Sequence, residues 1–312
     1  MKVARVAVPD LVSNSYFPAI AAVALNFYAR ENIDAELKLI FPNFKAYEAL
    51  REGEVDFVAA PAHVVLLAFP EWQGAKLLAA LSQGMYWLLV MRADIAAAPG
   101  DVNAVKGRKI GAAPLVSLTF KHLLLESGID LDRDRVQIVD IRRAHEQGQS
   151  FGIVAAQALA DGEIDGFWAN AMGAQNALRS GIGRVVLDVR RGLGPKKAFH
   201  YTLPVLVTSD RLIAHDPELV AAGIRSTIGA QQALVNDVSL ATAVGRKLFP
   251  AAEAGIIADV VARDLPYYKP GLSDETLEGL IGFTQATGLA KGSPRREAIV
   301  ATRFSYLLEP VV

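Results

Sequence analysis

Cysteine is absent from the 312-residue chain, which removes disulfides, thiolate zinc sites, iron–sulfur clusters and cysteine nucleophiles together. The redox compartment stays open, because a Cys-free chain is at ease in either environment. An excess of charge is missing too: 32 Lys and Arg stand against 33 Asp and Glu, a formal net charge of −1. That balance lacks the basic footprint that nucleic-acid binding needs and gives no reason to expect an anionic membrane partner. No apolar run reaches the ~18 residues of a membrane-spanning helix. Nor is an export signal visible, since Pro9, Asp10 and Asn14 fall where its apolar segment would lie. Histidine is scarce as well. The five, at 63, 122, 145, 200 and 215, show no i,i+4 pair and no H-E-x-x-H spacing, so neither a metal nor a cofactor is expected.

What is present is a repeated design. Residues 3–8 alternate around Arg5 and break at Pro9, as a strand does, and Ser13, Asn14 or Ser15 can cap the helix that follows. A strand over 35–41, a short helix over 45–51 and a strand over 55–60 complete β-α-β-α-β in about 60 residues, a pattern that argues for a parallel sheet. The series recurs with strands at 108–112, 136–141 and 164–168 and helices through 120–127 and 154–160. The third strand of each series is preceded by the same phrase, Gly53-Glu54-Val55-Asp56 and Gly162-Glu163-Ile164-Asp165, with Gly as a left-handed helix cap. Two similar lobes follow from this. Apolar strands at 86–91 and 203–208 are the candidate crossings, giving a discontinuous lobe 1 (1–92 plus 201–312) and an inserted lobe 2 (93–200). From 213 onward the periodicity is helical, with apolar stripes over 219–234, 240–248 and 256–262.

Three phrases carry a resemblance: Leu50-Arg51-Glu52-Gly53-Glu54-Val55-Asp56, Val105-Lys106-Gly107-Arg108-Lys109-Ile110-Gly111 and His215-Asp216-Pro217-Glu218-Leu219-Val220. With them the chain resembles the type-2 periplasmic-binding-protein fold, and within it the nitrate/sulfonate/taurine-type and thiamine-pyrimidine-precursor-type solute-binding proteins of ABC importers. The resemblance implies an α/β fold of two lobes, each a mixed sheet flanked by helices, with a ligand cleft between them and hinge closure over the ligand. It implies a small organic ligand and, if the protein is exported, an ABC permease as partner. Location would be periplasmic if a signal peptide has been trimmed and cytoplasmic if Met1 is the native start.

Ligands of open α/β sheets sit beyond the carboxyl ends of the strands, where helix N-termini suit anionic groups. Those ends supply the candidates. After the first strand come Asn14, Ser15 and Tyr16; after the second, Phe44; after the third, His63, which as a lone histidine could equally be structural; after the fourth, Gln83 and Tyr86, with Trp87 open to a core role. In the inserted lobe Ser117 and Thr119 stand where the resemblance places small hydroxyl residues at a helix start, the family's glycine-serine step reading Val116-Ser117. Ser150, Trp168 and Asn170 occupy the next strand ends. Tyr16, Phe44, Tyr86 and Trp168 would make an aromatic box, favouring an aromatic or heterocyclic anionic ligand over an inorganic oxyanion, although each ring could be ordinary core.

Competing signals are weak. Gly148-Gln149-Ser150-Phe151-Gly152 matches the nucleophile-elbow pattern, but 142–147 separate it from the preceding strand, and Ser150 reads better as a helix cap. Gly181-Ile182-Gly183 and Gly192-Leu193-Gly194 lack a dinucleotide loop's third glycine and read as turns. Arg190 and Arg191 are either solvated surface or approach an anionic ligand from the hinge. The alternative function is a cytoplasmic enzyme on the same fold, a decarboxylase or dehydratase of an aromatic or cyclic acid. His63 would then be its acid or base. The resemblance extends to pyrimidine synthases, whose cysteine-rich segment this chain lacks.

Overall fold

The computed structural model describes residues 2–145 and 150–308. The chain divides into two compact units, Met1–Gly84 with Thr202–Val312, and Met85–Tyr201. In the first, β1 (Lys2–Val8) leads to α1 (Phe17–Ala24), β2 (Ile33–Leu39), α2 (Asn43–Glu52), β3 (Phe57–Pro61), the single turn α3 (Val65–Ala68) and β4 (Ala75–Ala80). The second holds β5 (Leu88–Arg92), β6 (Lys109–Ala112), α4 (Val116–Glu126), β7 (Gln137–Val139), α5 (Phe151–Ala160), β8 (Gly166–Ala169), α6 (Ala171–Arg179) and β9 (Gly183–Leu187). The chain then re-enters the first unit as β10 (Pro204–Ser209), α7 (Asp210–His215), α8 (Pro217–Asn236), α9 (Ser239–Leu248), α10 (Ala251–Ala254), α11 (Ile257–Asp264), α12 (Asp274–Ala286) and α13 (Arg296–Ile299). Among the described residues no helix is long and apolar enough to cross a membrane.

The sheets share one plan. Their orders are β2-β1-β3-β10-β4 and β7-β6-β8-β5-β9, five strands each. In unit 1, β1 pairs parallel with β2 and β3, while β10 runs antiparallel to both β3 and β4. In unit 2, β6 pairs parallel with β7 and β8, while β5 runs antiparallel to β8 and β9. The repeated lobe expected from the Gly-Glu-apolar-Asp phrase is therefore real, and each sheet is mixed because one antiparallel strand fills its fourth place. The two apolar segments expected as crossings are those strands, paired on both sides and carrying runs such as Val205, Leu206 and Val207, all fully buried. Buried on both faces, they lose the alternation an exposed sheet would show.

Local chemistry sets the boundaries. Gly53 ends α2 at φ +82°, and Gly162 follows α5 at φ +72°, the left-handed values expected of both. Asp216 caps α8, accepting from the Leu219 N–H at 3.2 Å, with Pro217 in the first turn. Arg5 and Asp56, from the paired strand starts, are joined by two guanidinium–carboxylate bonds of 2.9–3.0 Å. Packing between α5 and α6 is closer still, because Gly152 and Gly173 face one another: a Cβ on Gly173 would lie 2.4 Å from the Gly152 carbonyl oxygen.

Candidate functional site

In each sheet the central parallel strand is flanked on both sides by strands that follow it in sequence, so the chain leaves in opposite directions beside β1 and β3, and beside β6 and β8. Such a switch point opens a crevice at the carboxyl edge. The antiparallel strand enters from that same edge. Thr202 and Leu203 before β10 lie beside the end of β3, where Pro204 pairs Pro61, and Tyr86 and Trp87 before β5 lie beside the end of β8, where Leu88 pairs Ala169.

In unit 1 the loop after β1 is compact and buried. Ser13 Oγ accepts from the Ser15 N–H at 3.1 Å. Asn14 Nδ2 donates to Asp264 Oδ2 at 2.6 Å. Neither residue caps α1, which opens at Phe17 with Tyr16 in the cap position and no side-chain cap bond. The capping expected of Ser13, Asn14 or Ser15 gives way to bonding within the loop and across to α11. Asn14 and Ser15 are each 1% exposed, and Asn14 Oδ1 and Ser15 Oγ have no hydrogen-bond partner among the described residues. A buried oxygen without a donor costs about 1–3 kcal/mol. The two stand on consecutive residues in the loop that follows β1.

At the end of β3, His63 is fully buried, its Nδ1 2.9 Å from Thr202 Oγ1 and its ring edge-on to Phe283 at 5.5 Å. Tyr47 donates to the Pro61 carbonyl at 3.0 Å, and burial pushes its phenol well above the ordinary value. Gln83 is structural in its bonding: its amide donates to the carbonyls of Lys269 and Gly271 at 2.6 and 2.7 Å. Phe44 lies half-buried in the first turn of α2, with the Lys45 ammonium 5.3 Å from its ring centre.

In unit 2, α4 begins at Val116 after Leu115, a non-glycine residue at φ +67°. The strained position thus falls one residue before the expected glycine-serine step. Ser117 is half-buried in the first turn. Thr119 Oγ1 donates to the Val116 carbonyl at 2.8 Å and accepts from the Trp168 indole N–H at 3.2 Å. Trp168 is fully buried and stacks on Phe120 at 4.9 Å, so Thr119 and Trp168 support each other inside the unit. Asn170 caps α6, its Oδ1 accepting from Gly173 N–H at 3.2 Å. Ser150 stands at the cap position of α5 without a side-chain cap bond. Gly148 and Gln149 of the elbow-like phrase lie outside the described residues. Tyr86 packs on Trp87 at 4.4 Å, and the guanidinium of Arg190, 8% exposed, lies 5.7 Å from the Tyr86 ring centre. Arg191 pairs with Asp188 at 2.8 Å.

Asn14, Ser15 and Tyr16 are thus gathered at one end of unit 1 with His63, while Ser117, Asn170 and Tyr86 line the corresponding edge of unit 2. Asp264 and Thr202 were not among the expected residues. Asp264 had a readable signal: it continues the buried stripe Ile257, Val260, Val261 of α11 at helical spacing, where a carboxylate calls for a partner. Tyr201, donating to Glu126 Oε2, with His122 Nε2 3.7 Å from Glu126 Oε1, was also missed. Among the described residues no three His, Asp or Glu side chains converge as a metal site would require.

A family model described as NMT1/THI5 like matches residues 13–237. No curated protein matches the chain. Solved structures of the same fold include the alkanesulfonate-binding protein SsuA from Xanthomonas axonopodis pv. citri bound to MOPS, 15% identical, covering 96% of this chain and 98% of that one at TM-score 0.71. The periplasmic nitrate-binding protein NrtA from Synechocystis PCC 6803 is 10% identical over 97% of this chain and 87% of that one, TM-score 0.69. The desulfurization enzyme DSZB is 15% identical over 98% of each chain, TM-score 0.66.

Proposed function

The chain belongs to the NMT1/THI5 like family of the type-2 periplasmic-binding-protein fold, and from that premise we propose that it is the solute-binding component of an ABC importer for a small organic ligand bearing an anionic group. The observation that carries this reading is the pair of buried, unpartnered oxygens of Asn14 and Ser15 at the unit 1 switch point. The Asn14 amide oxygen accepts and the Ser15 hydroxyl both accepts and donates, so the pair suits N–H or O–H groups of the ligand. Taken by itself, the strand-end edge of unit 2 offers the positive end of α4, which suits an anionic group. In unit 1 Tyr16 and Phe44 supply rings for a flat body, so an aromatic or heterocyclic acid carrying a donor group is the proposed class. Ligand binding is proposed to shift the population toward a closed form by hinge motion. The proposed setting is periplasmic, beside the permease.

A thermal-shift panel of aromatic carboxylates, sulfonates and amino-pyrimidines should yield a stabilising ligand, and Asn14→Ala should weaken it at least tenfold with the fold retained. Equal affinity in that variant and in Ser15→Ala would overturn the assignment of the site. A second reading, an enzyme acting on an aromatic or cyclic acid, is supported by the fold shared with DSZB and by the buried His63–Thr202 pair. It requires turnover that disappears in His63→Ala. Recovery of the stabilising ligand chemically unchanged after prolonged incubation refutes it.

A further inference from the structure

Unit 1 carries a concavity built from none of the switch-point residues after β1 or β3. A cavity of about 570 Å³ lies between the second half of α8 and the 268–271 loop, with Leu308 closing one side. A neighbouring cavity of about 550 Å³ shares Lys269, Gly271 and Leu308 with it, so the two form one groove around that loop. Each volume falls within the ~300–1,000 Å³ of small-molecule sites. The wall is held firmly. Gln83 binds the loop through its own N–H to the Tyr267 carbonyl at 2.8 Å and through both side-chain donations, and the Ala80 N–H reaches the Pro270 carbonyl at 2.9 Å.

Two features fix what the groove would take. Its surface is mainly apolar, with Ile228, Val235, Pro270 and Leu308 on the walls, and Val235 is 51% exposed. Among the described residues its charged lining groups are the cations Lys269 and Arg296. Arg296 is occupied by Asp274 at 2.7 Å and by the Leu272 carbonyl at 2.6 Å, whereas Lys269 makes no ion pair among the described residues. Among the described residues no Asp or Glu lines either cavity. The wall also includes Gln231, 2% exposed, whose amide donates to the Ala80 and Leu81 carbonyls at 3.0 and 2.8 Å while its Oε1 has no partner among the described residues.

We propose that this groove is a second small-molecule site, specific for an amphipathic monocarboxylate whose apolar chain lies against Ile228, Val235, Pro270 and Leu308 and whose carboxylate pairs with Lys269. The site shares none of the residues proposed to hold the strand-end ligand and is independent of it.

The test is calorimetric titration of the whole protein with decanoate, decanol and decyltrimethylammonium, all below their micellar concentrations. Decanoate should bind saturably with one-to-one stoichiometry and the cationic analogue should not. Lys269→Glu should weaken decanoate at least tenfold and leave decanol unchanged, and Val235→Glu should weaken both. Because Lys269 and Val235 are exposed, both variants should keep the parent Tm. Asn14→Ala should bind decanoate as the parent does. The proposal is overturned by uptake at micellar concentration only, by decanoate affinity insensitive to both groove variants, or by loss in Asn14→Ala. It is equally overturned by a self-association that Val235→Glu abolishes without any saturable decanoate binding, which would assign the groove to a second copy of the chain.

Discussion

Alanine in place of Gly173 should destabilise the second unit although alanine is the better helix former. Gly173 lies in the first turn of α6, and an ideal Cβ there would stand 2.4 Å from the Gly152 carbonyl oxygen and 2.6 Å from its carbonyl carbon and Cα. These are backbone atoms of α5, so no rotamer change relieves the clash. To restore ordinary contact at ~3.5 Å the helices must part by about 1 Å along their seam, losing dispersion contacts on both sides. Overpacking of this kind costs ~1–3 kcal/mol, and the gain in helix propensity returns at most ~1 kcal/mol. The net is a loss of ~1–2 kcal/mol, read as a fall in Tm of roughly 3–8 °C. Gly282 provides the control. It sits in α12 with nothing within 4 Å of its would-be Cβ, so Gly282→Ala should gain up to ~1 kcal/mol and raise Tm by roughly 2–4 °C. Thermal denaturation of the two variants beside the parent decides it. If Gly173→Ala stabilises as Gly282→Ala does, the close approach of α5 and α6 is wrong. The consequence would be functional, since Ser150 and Asn170 stand at the starts of these same helices and are spaced by that contact.

Thr119→Val should cost about 1–3 kcal/mol, because it leaves the buried Trp168 indole N–H without its acceptor while keeping the side chain's shape; chemical denaturation should show the loss and its recovery in Thr119→Ser. An unchanged midpoint in the valine variant would show that the Trp168–Thr119 bond carries nothing. Alkaline pH should unfold the protein through its tyrosines. Burial raises the phenols of Tyr28 and Tyr47, and burial together with the bond to Glu126 raises that of Tyr201. The protonated form is favoured in the fold, so their contribution is fully present below the unfolded value of ~10 and declines as pH rises above it. Phenolate absorbance should therefore show Tyr28, Tyr47 and Tyr201 ionising only as the protein unfolds. Their reversible titration with the fold intact would refute this.

The parallel strands and the left-handed caps at Gly53 and Gly162 were legible because their signals are local: apolar runs, turn residues and a glycine at a fixed offset. Boundaries shifted by a few residues where packing overrides propensity, as with β7, expected over 136–141 and formed only over Gln137–Val139. The strand-end rule selects loops, and what their side chains do depends on contacts that are not local. Asn14 and Ser15 belong to a buried polar loop, yet nothing local reveals that Asn14 turns to Asp264, 250 residues away, instead of capping α1. Trp168 and Thr119 look from sequence like a ring and a hydroxyl offered to a ligand, and only the indole N–H···Oγ1 bond discloses their mutual satisfaction. Thr202 was invisible because its place beside His63 depends on a strand that returns after more than a hundred residues.

That return explains more than Thr202. In an all-parallel sheet only the residues after each strand reach the carboxyl edge. Here one antiparallel strand in each sheet, β10 and β5, brings the residues before it to the same edge. The segments that carry the chain from one unit to the other, 84–87 and 199–203, therefore deliver side chains where the switch-point loops do: Thr202 to His63, and Tyr86 to Arg190. The two segments are also joined directly, the Met85 N–H donating to the Phe199 carbonyl at 2.9 Å. A change in either connection is then a change at the site edge of its own sheet. Within each unit the link is short: one hydrogen bond between Thr202 and His63 in the first, one cation–ring contact between Arg190 and Tyr86 in the second.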